Sequence, residues 1–377
     1  MTGLSLGTDG PDRVVFLIDH FRNPLAGTEG QLLQLVKGLT ARGVDCHLVV
    51  LRSSEFLEQG GFPCPFTVVG HTRIASPKSW LALWRLGRQM RADGYRLAHT
   101  FFNDVSLLAP PTFAASGIRT LISRRDMGFW YTPLYLRLLR MTRRWISGCI
   151  ANSQAVADVT MRMERIPRDS MHVIYNGLAP SDSDGGDVSR LVDLKSKGYL
   201  LIVLVANVRP IKRIEDLIEA LGRLKDSDPM LASVIIGGGD ASALREKAAK
   251  LGMSDRVVFL GARDDVPNCL RYADIGVLCS ESEGFSNAIV EYMRAGVPTV
   301  CTNVGGNREA IEDGVTGLLY PVGDTNELAS HLALLAGNAE LRDELGVAAR
   351  RSAELRFSVD RMVDDHLVLY RAKLQRR

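Results

Sequence analysis

Short apolar runs alternate with amphipathic stretches along this chain, and they do so in two successive series. Residues 14–18 (VVFLI) read as a buried strand. A loop with Pro24 and Gly27 follows, then an amphipathic helix over about residues 29–41, then a second strand at 46–51 (CHLVVL). Such a strand–helix–strand unit is the start of a parallel, doubly wound sheet. The alternation continues through 97–101, 119–123 and 149–153 and closes at 173–177. Composition then changes: residues 181–187 (SDSDGGD) are polar, acidic and Gly-rich and cannot build a core. A new series begins at 199–205 and runs through 233–236, 257–260, 275–278 and 299–301. At 377 residues the chain exceeds what one core usually supports. The expected class is therefore α/β, with two tandem doubly wound domains facing across a cleft. The expected boundaries are 1–180, a linker at 181–198, and 199–357. A final helix within 358–377 is expected to return to the first domain.

The totals exclude several classes. The chain is 46% apolar and 24% charged, ordinary for a globular enzyme. A net charge of +3 is too small to argue for nucleic acid, so none is expected as a partner. The six cysteines form no CxxC and read as reduced core thiols of a cytoplasmic protein. Residues 1–13 lack a basic segment followed by an apolar one, so no signal peptide is expected. No run of about 18 apolar residues is present, so no membrane span is expected. No G-x-G-x-x-G follows the first strand of either series, which disfavours a dinucleotide-dependent oxidoreductase.

The chemistry concentrates in the second series. In residues 283–291 (EGFSNAIVE), two carboxylates flank a Gly-aromatic turn that opens into an apolar helix. Such a turn aims backbone N–H groups at one spot, the usual way a fold holds phosphate. A carboxylate on each side can accept hydrogen bonds from sugar or ribose hydroxyls. Phosphate flanked by polyols describes a nucleotide-sugar. The loop after the first strand of the series brings Arg209, Lys212 and Arg213 to a strand end, where a doubly wound fold binds anions. One strand beyond EGFSNAIVE stands Gly305-Gly306-Asn307-Arg308-Glu309. In the first series, Gly27 could let the backbone approach a phosphate or an acceptor hydroxyl.

These residues closely resemble glycosyltransferase family 4, whose members have the GT-B fold of two Rossmann-like domains. The E-x7-E signature stands as Glu283 and Glu291, with Ala273-Asp274, Ser280, Ala295-Gly296-Val297-Pro298 and Gly314 to Leu318 in the family's order around it. The resemblance implies a retaining transferase that needs no metal or other cofactor and uses a UDP-sugar or GDP-sugar donor. It implies that Glu291 holds the ribose, Glu283 bonds the donor sugar, and backbone amides of Phe285, Ser286 and Asn287 contact sugar and diphosphate. Lys212 would neutralise the diphosphate. Three positions depart from the family pattern. Asn207 replaces a phosphate-binding arginine, whose task would pass to Arg209. Arg213 replaces a glycine. Arg124-Arg125-Asp126 stands where many members carry a histidine, so Arg125 and His99 are the alternative groups beside the reacting sugar.

The acceptor is expected to be a glycan or a polyprenyl-linked glycolipid. Between Arg119 and Arg144 there are seven arginines and one acid, Asp126. Arg137, Arg140 and Arg144 are expected on one side of a helix, with Leu134, Leu138, Met141 and Trp145 on other faces. A second basic segment, residues 78–96, carries Trp80 and Trp84. Basic helices with aromatic neighbours suit anionic lipid headgroups, so peripheral contact with the inner face of the cell membrane is a further expectation. Two alternatives stay open: another GT-B enzyme, such as a sugar phosphorylase or nucleotide-sugar epimerase, or a non-catalytic nucleotide-sugar-binding protein.

Overall fold

Each series of apolar runs forms one parallel sheet. The computed structural model describes residues 12–24, 27–70, 76–179, 185–228 and 230–375. The first sheet contains β1 (Arg13–His20), β2 (Asp45–Arg52), β3 (Phe66–Val68), β4 (Leu97–Phe101), β5 (Arg119–Arg124), β6 (Ile146–Ala151) and β7 (Met171–Val173). The second contains β8 (Leu200–Val205), β9 (Leu231–Ile236), β10 (Val257–Gly261), β11 (Ile275–Leu278), β12 (Thr299–Thr302) and β13 (Leu318–Tyr320). The strand orders are β3-β2-β1-β4-β5-β6-β7 and β10-β9-β8-β11-β12-β13. Every pairing is parallel, and the order reverses between β1 and β4 in one sheet and between β8 and β11 in the other. Each is the Rossmann arrangement, and those reversal points are where such sheets open a crevice beyond the strand ends.

Side chains alternate across β1. Val14, Phe16 and Ile18 enter one core with the Gly27–Ala41 and Val359–Gln375 helices, while Val15 and Leu17 enter another with the Pro77–Ala92 and Asp104–Ala114 helices. A sheet covered on both faces needs apolar residues at every position, which is why these strands read as unbroken apolar runs. The second sheet is built alike. Ile202 and Leu204 pack with the Ile214–Leu224 and Thr325–Gly337 helices; Leu201 and Val203 pack with Tyr292 of the Asn287–Ala295 helix.

The chain divides into two compact units. Residues up to Gly177, together with those from Val359 onward, form one, and Leu178–Ser358 forms the other. The Ser189–Ser196 helix lies inside the expected linker, yet Leu191 and Leu194 are buried against the second sheet, so this segment belongs to the core. Residues 181–184 of that linker lie outside the described residues. The first series closes at 171–173, its last strand ending four residues before the expected 173–177, because Ile174 leaves the ladder after bonding Ala151. The short strands β3 and β13 were not expected; each has three residues, too few to show a period. Among the described residues, no helix is long and apolar enough to cross a membrane.

Candidate functional site

The reversal point of the second sheet brings together the loops after β8 and β11. The β8 loop runs through Ala206–Arg209 into a single 3-10 turn, Pro210–Lys212. The β11 loop runs from Cys279 to the N-cap of the Asn287–Ala295 helix, Ser286, whose hydroxyl accepts from the Ile289 N–H. The Glu281 N–H donates to the Ile211 carbonyl at 2.8 Å, tying the two loops by their backbones. Tyr292 pins the helix to both strands, accepting from Val205 N–H at 2.6 Å and donating to the Val277 carbonyl at 3.3 Å.

Lys212 and Glu283 meet inside this frame. Lys212 Nζ donates to Glu283 Oε1 at 2.5 Å, and Ser280 Oγ donates to the same oxygen at 2.6 Å. Glu283 Oε2 carries no hydrogen bond among the described residues. Ser280 is itself held from behind, its carbonyl accepting from Thr302 Oγ1 at 2.6 Å. Gly305 backs the Glu283 peptide: its φ is +46°, and a Cβ there would sit 1.8 Å from the Glu283 carbonyl oxygen. Only glycine permits that approach.

The three basic residues of the β8 loop have different surroundings. Lys212 is paired with Glu283. Arg209 is exposed and makes no ion pair among the described residues. Arg213 adopts a left-handed conformation at φ 47°, which explains the glycine expected there. Its guanidinium is engaged with buried Asp216, Nε to Oδ2 at 2.7 Å and Nη2 to Oδ1 at 3.0 Å. That bidentate pair offsets the backbone strain and withdraws Arg213 from anion binding. Asn207 Oδ1 accepts from the Gly238 N–H at 3.0 Å, so this side chain braces the Gly237–Gly239 loop. Phe285 packs its ring edge-on against Phe357, centroids 5.2 Å apart, and Asn287 opens the helix. The carboxylate of Glu291, one helical turn on, makes no hydrogen bond or ion pair among the described residues, and burial lifts its pKa to about 7.

The matching end of the first sheet differs from expectation. His99 lies within β4, fully buried, with Nδ1 on Tyr370 Oη at 2.6 Å and Nε2 on Ser123 Oγ at 2.8 Å. Both ring nitrogens are satisfied and desolvation drives its pKa well down, so His99 sits as a neutral core residue and not at a strand end. Arg125 follows β5 directly. Its Nη2 donates to Asn176 Oδ1 at 2.5 Å, and burial lowers its pKa to about 10, which leaves it cationic at neutral pH. Arg124 is buried and paired with Glu164 at 2.5 Å, a structural contact. Gly27 begins the helix after β1, and Ala26 beside it lies outside the described residues.

At the β1/β4 reversal point the structure adds residues that the sequence reading passed over. Asp19 accepts from the N–H groups of Asn103, Asp104 and Val105, at 3.3, 3.1 and 2.8 Å, and burial raises its carboxyl to about 6. His20 stacks on Phe102, centroids 5.2 Å apart, with Phe102 in the left-handed region at φ 70°. Desolvation lowers the His20 pKa, and its Nδ1 has no partner among the described residues. A neutral imidazole at a strand end can accept a proton from a hydroxyl. The usable signal was an Asp-His pair closing the first apolar run.

Among the described residues, no group of three or more His, Cys, Asp or Glu side chains is placed to hold a metal ion.

Residues 25–182 match Glycosyltransferase Family 4, and residues 189–352 match Glycosyl transferases group 1. The chain is 31% identical over 175 residues to N-acetyl-alpha-D-glucosaminyl L-malate synthase of Bacillus anthracis, covering 46% of each chain. It is 36% identical over 193 residues to D-inositol 3-phosphate glycosyltransferase of Salinispora tropica, covering 48% of this chain and 40% of that one. The match thus spans less than half the length of either curated relative. Among solved structures, HepE of Anabaena in complex with UDP superposes with a TM-score of 0.82 at 22% identity, covering 96% of this chain and 100% of that one. A glycosyltransferase from Rickettsia africae superposes with a TM-score of 0.83 at 18% identity, covering 97% and 100%. With two Rossmann sheets in the GT-B manner and both halves matched in order, the chain belongs to glycosyltransferase family 4.

Proposed function

We propose that this protein transfers a sugar, with retention, from a nucleoside-diphosphate sugar to a glycan or a polyprenyl-linked glycolipid. The observation that carries this reading is the Lys212–Glu283–Ser280 cluster at the β8/β11 reversal point, at the mouth of a helix N-terminus. In this reading Glu283 presents its open oxygen to a sugar hydroxyl. Lys212 turns from Glu283 toward the diphosphate, with Arg209 beside it. Glu291 accepts the two ribose hydroxyls. When the anomeric bond breaks, negative charge grows on the leaving diphosphate. Lys212, once turned, Arg209 and the first N–H groups of the Asn287–Ala295 helix are the donors that meet it, and no metal is required. UDP is favoured over GDP because solved neighbours of the same fold are described as holding UDP and UDP-glucose. His20 and Arg125, at the strand ends of the first sheet, are the proposed acceptor-side groups. Contact with an anionic membrane surface fits a lipid-linked acceptor.

The test is UDP release from UDP-sugars with and without candidate acceptors. Release that depends on an added acceptor supports the reading. Lys212→Ala should lower kcat by about 10²–10³-fold, by analogy with a lost oxyanion donor. A near-normal kcat in that variant removes Lys212 from the mechanism. Nucleotide binding with no turnover under any acceptor would favour a non-catalytic binding protein.

A further inference from the structure

Sugar transfer leaves unexplained the surface made by residues 125–145. Three large apolar side chains there are the most exposed of their kind among the described residues of 12–179: Phe129 at 80%, Leu134 at 68% and Met141 at 58%. Folding accounts for the residues around them. Asp126 accepts from the Gly128 N–H at 2.7 Å and from Trp130 Nε1 at 3.0 Å. Tyr131 N–H closes the turn on the Gly128 carbonyl at 3.0 Å, and Tyr131 Oη donates to buried Glu164. Trp130 packs against Tyr131 and Tyr135 and lies under the Arg124 guanidinium. The loop is braced on every side but one, and at its tip Phe129 stands in solvent.

The Pro133–Thr142 helix continues that surface. Leu136, Leu139 and Thr142 are buried, so the opposite face is outward. Leu134, Arg137 and Met141 stand at i, i+3 and i+7 on that outward face. The sequence reading separated the arginines from the apolar residues; the structure mixes them. Arg140 leaves the set, because its Nε and Nη2 both donate to the Met163 carbonyl near the end of the Gln154–Glu164 helix. Exposed Arg143 and Arg144 follow in the next turn, Arg143 donating one N–H, from Nη1, to the Arg165 carbonyl at 2.5 Å and Arg144 lying over Trp145 at 4.1 Å. From residue 127 to 157 the chain contains no Asp or Glu. Apolar side chains and arginines on one face, with no acid among them, match an interface with acyl chains below and anionic headgroups around.

We propose that the Phe129 tip, the outward face of the Pro133–Thr142 helix and Arg143–Arg144 form a docking surface for a bilayer containing anionic lipid. Phe129, Leu134 and Met141 enter the headgroup boundary, and Arg137, Arg143 and Arg144 bind lipid phosphates. The surface starts at the carboxyl end of β5, beside Arg125, so docking presents that strand end to the bilayer. The proposal rests on the lipid-linked acceptor reading for its purpose, and its test is independent of that reading.

The experiment is sedimentation of the whole protein with vesicles of phosphatidylcholine alone and of phosphatidylcholine mixed equally with phosphatidylglycerol, at low and high salt. The wild type should partition onto the mixed vesicles at low salt and retain a smaller bound fraction at high salt. R137E/R144E should weaken partitioning at least ~30-fold. F129S/L134S should lose the salt-resistant fraction. R85E/R88E, which alters exposed arginines of the Pro77–Ala92 helix, should partition as the wild type does, because the aromatics of that second basic segment are engaged within the fold, Trp80 against the core and Trp84 beneath Arg88. Stabilisation by UDP in a thermal melt, kept in every variant, shows that the fold and the donor site survive. No binding at low salt, equal binding to neutral vesicles, or an equal loss in R85E/R88E overturns the proposal. Vesicle binding by a protein that UDP does not stabilise would instead sink the transferase reading and leave the docking surface standing.

Discussion

Glu283 and Glu291 are the same residue type in two environments, and the environments divide the work. Glu283 receives a lysine and a serine on one oxygen. Glu291 receives nothing among the described residues, and desolvation moves its carboxyl from 4.5 to about 7. Its folded-state pKa is raised, so its contribution to stability is full below about 4.5 and is lost as pH rises through about 7. Ribose hydroxyls donate best to the ionised form, so binding pulls the proton off. The donor KM should therefore fall by up to about tenfold between roughly pH 6 and pH 8. Glu291→Gln should raise the donor KM and flatten that dependence. An unchanged pH profile in the glutamine variant would show that Glu291 does not meet the donor.

At the scale of elements, the site depends on loops set at fixed distances by small residues. Gly305 allows the turn after β12 to touch the Glu283 peptide. Gly305→Ala adds a Cβ 1.8 Å from a carbonyl oxygen at a positive φ, so the 283–286 loop must shift. The change should destabilise the protein by about 1–3 kcal/mol and weaken UDP binding with it. Denaturant melts and UDP titration read the two effects; a variant with wild-type values in both would show that the loops are not so coupled. The long strands were legible in the sequence because strands buried on both faces must be apolar throughout, as in β1, β2 and β8. The short edge strands β3 and β13 were not, since three residues carry no period. The Ser189–Ser196 helix was hidden by the polar stretch before it, although Leu191 and Leu194 already held its inward spacing.

For the whole molecule, sequence order and spatial order part at the reversal points. EGFSNAIVE and the β8 loop are separated by three strands in the chain, yet β8 and β11 are neighbours. Their functional pairing was legible only through the family resemblance, since no spacing rule links Lys212 to Glu283. The burial of His99 was not legible because its partner, Tyr370, comes from the C-terminal helix that packs on the first sheet. Asp19, His20 and Phe102 were missed because their grouping needs β1 and β4 side by side. Both sheets therefore repeat one lesson: the strand ends carry the chemistry, and the strand order decides which ends meet. The account stands most directly on where a nucleoside diphosphate settles, which hydrogen–deuterium exchange of the whole protein with and without UDP can read. UDP should slow exchange most in residues 206–213 and 281–291. Slowed exchange elsewhere, with those two segments unchanged under saturating UDP, would contradict it.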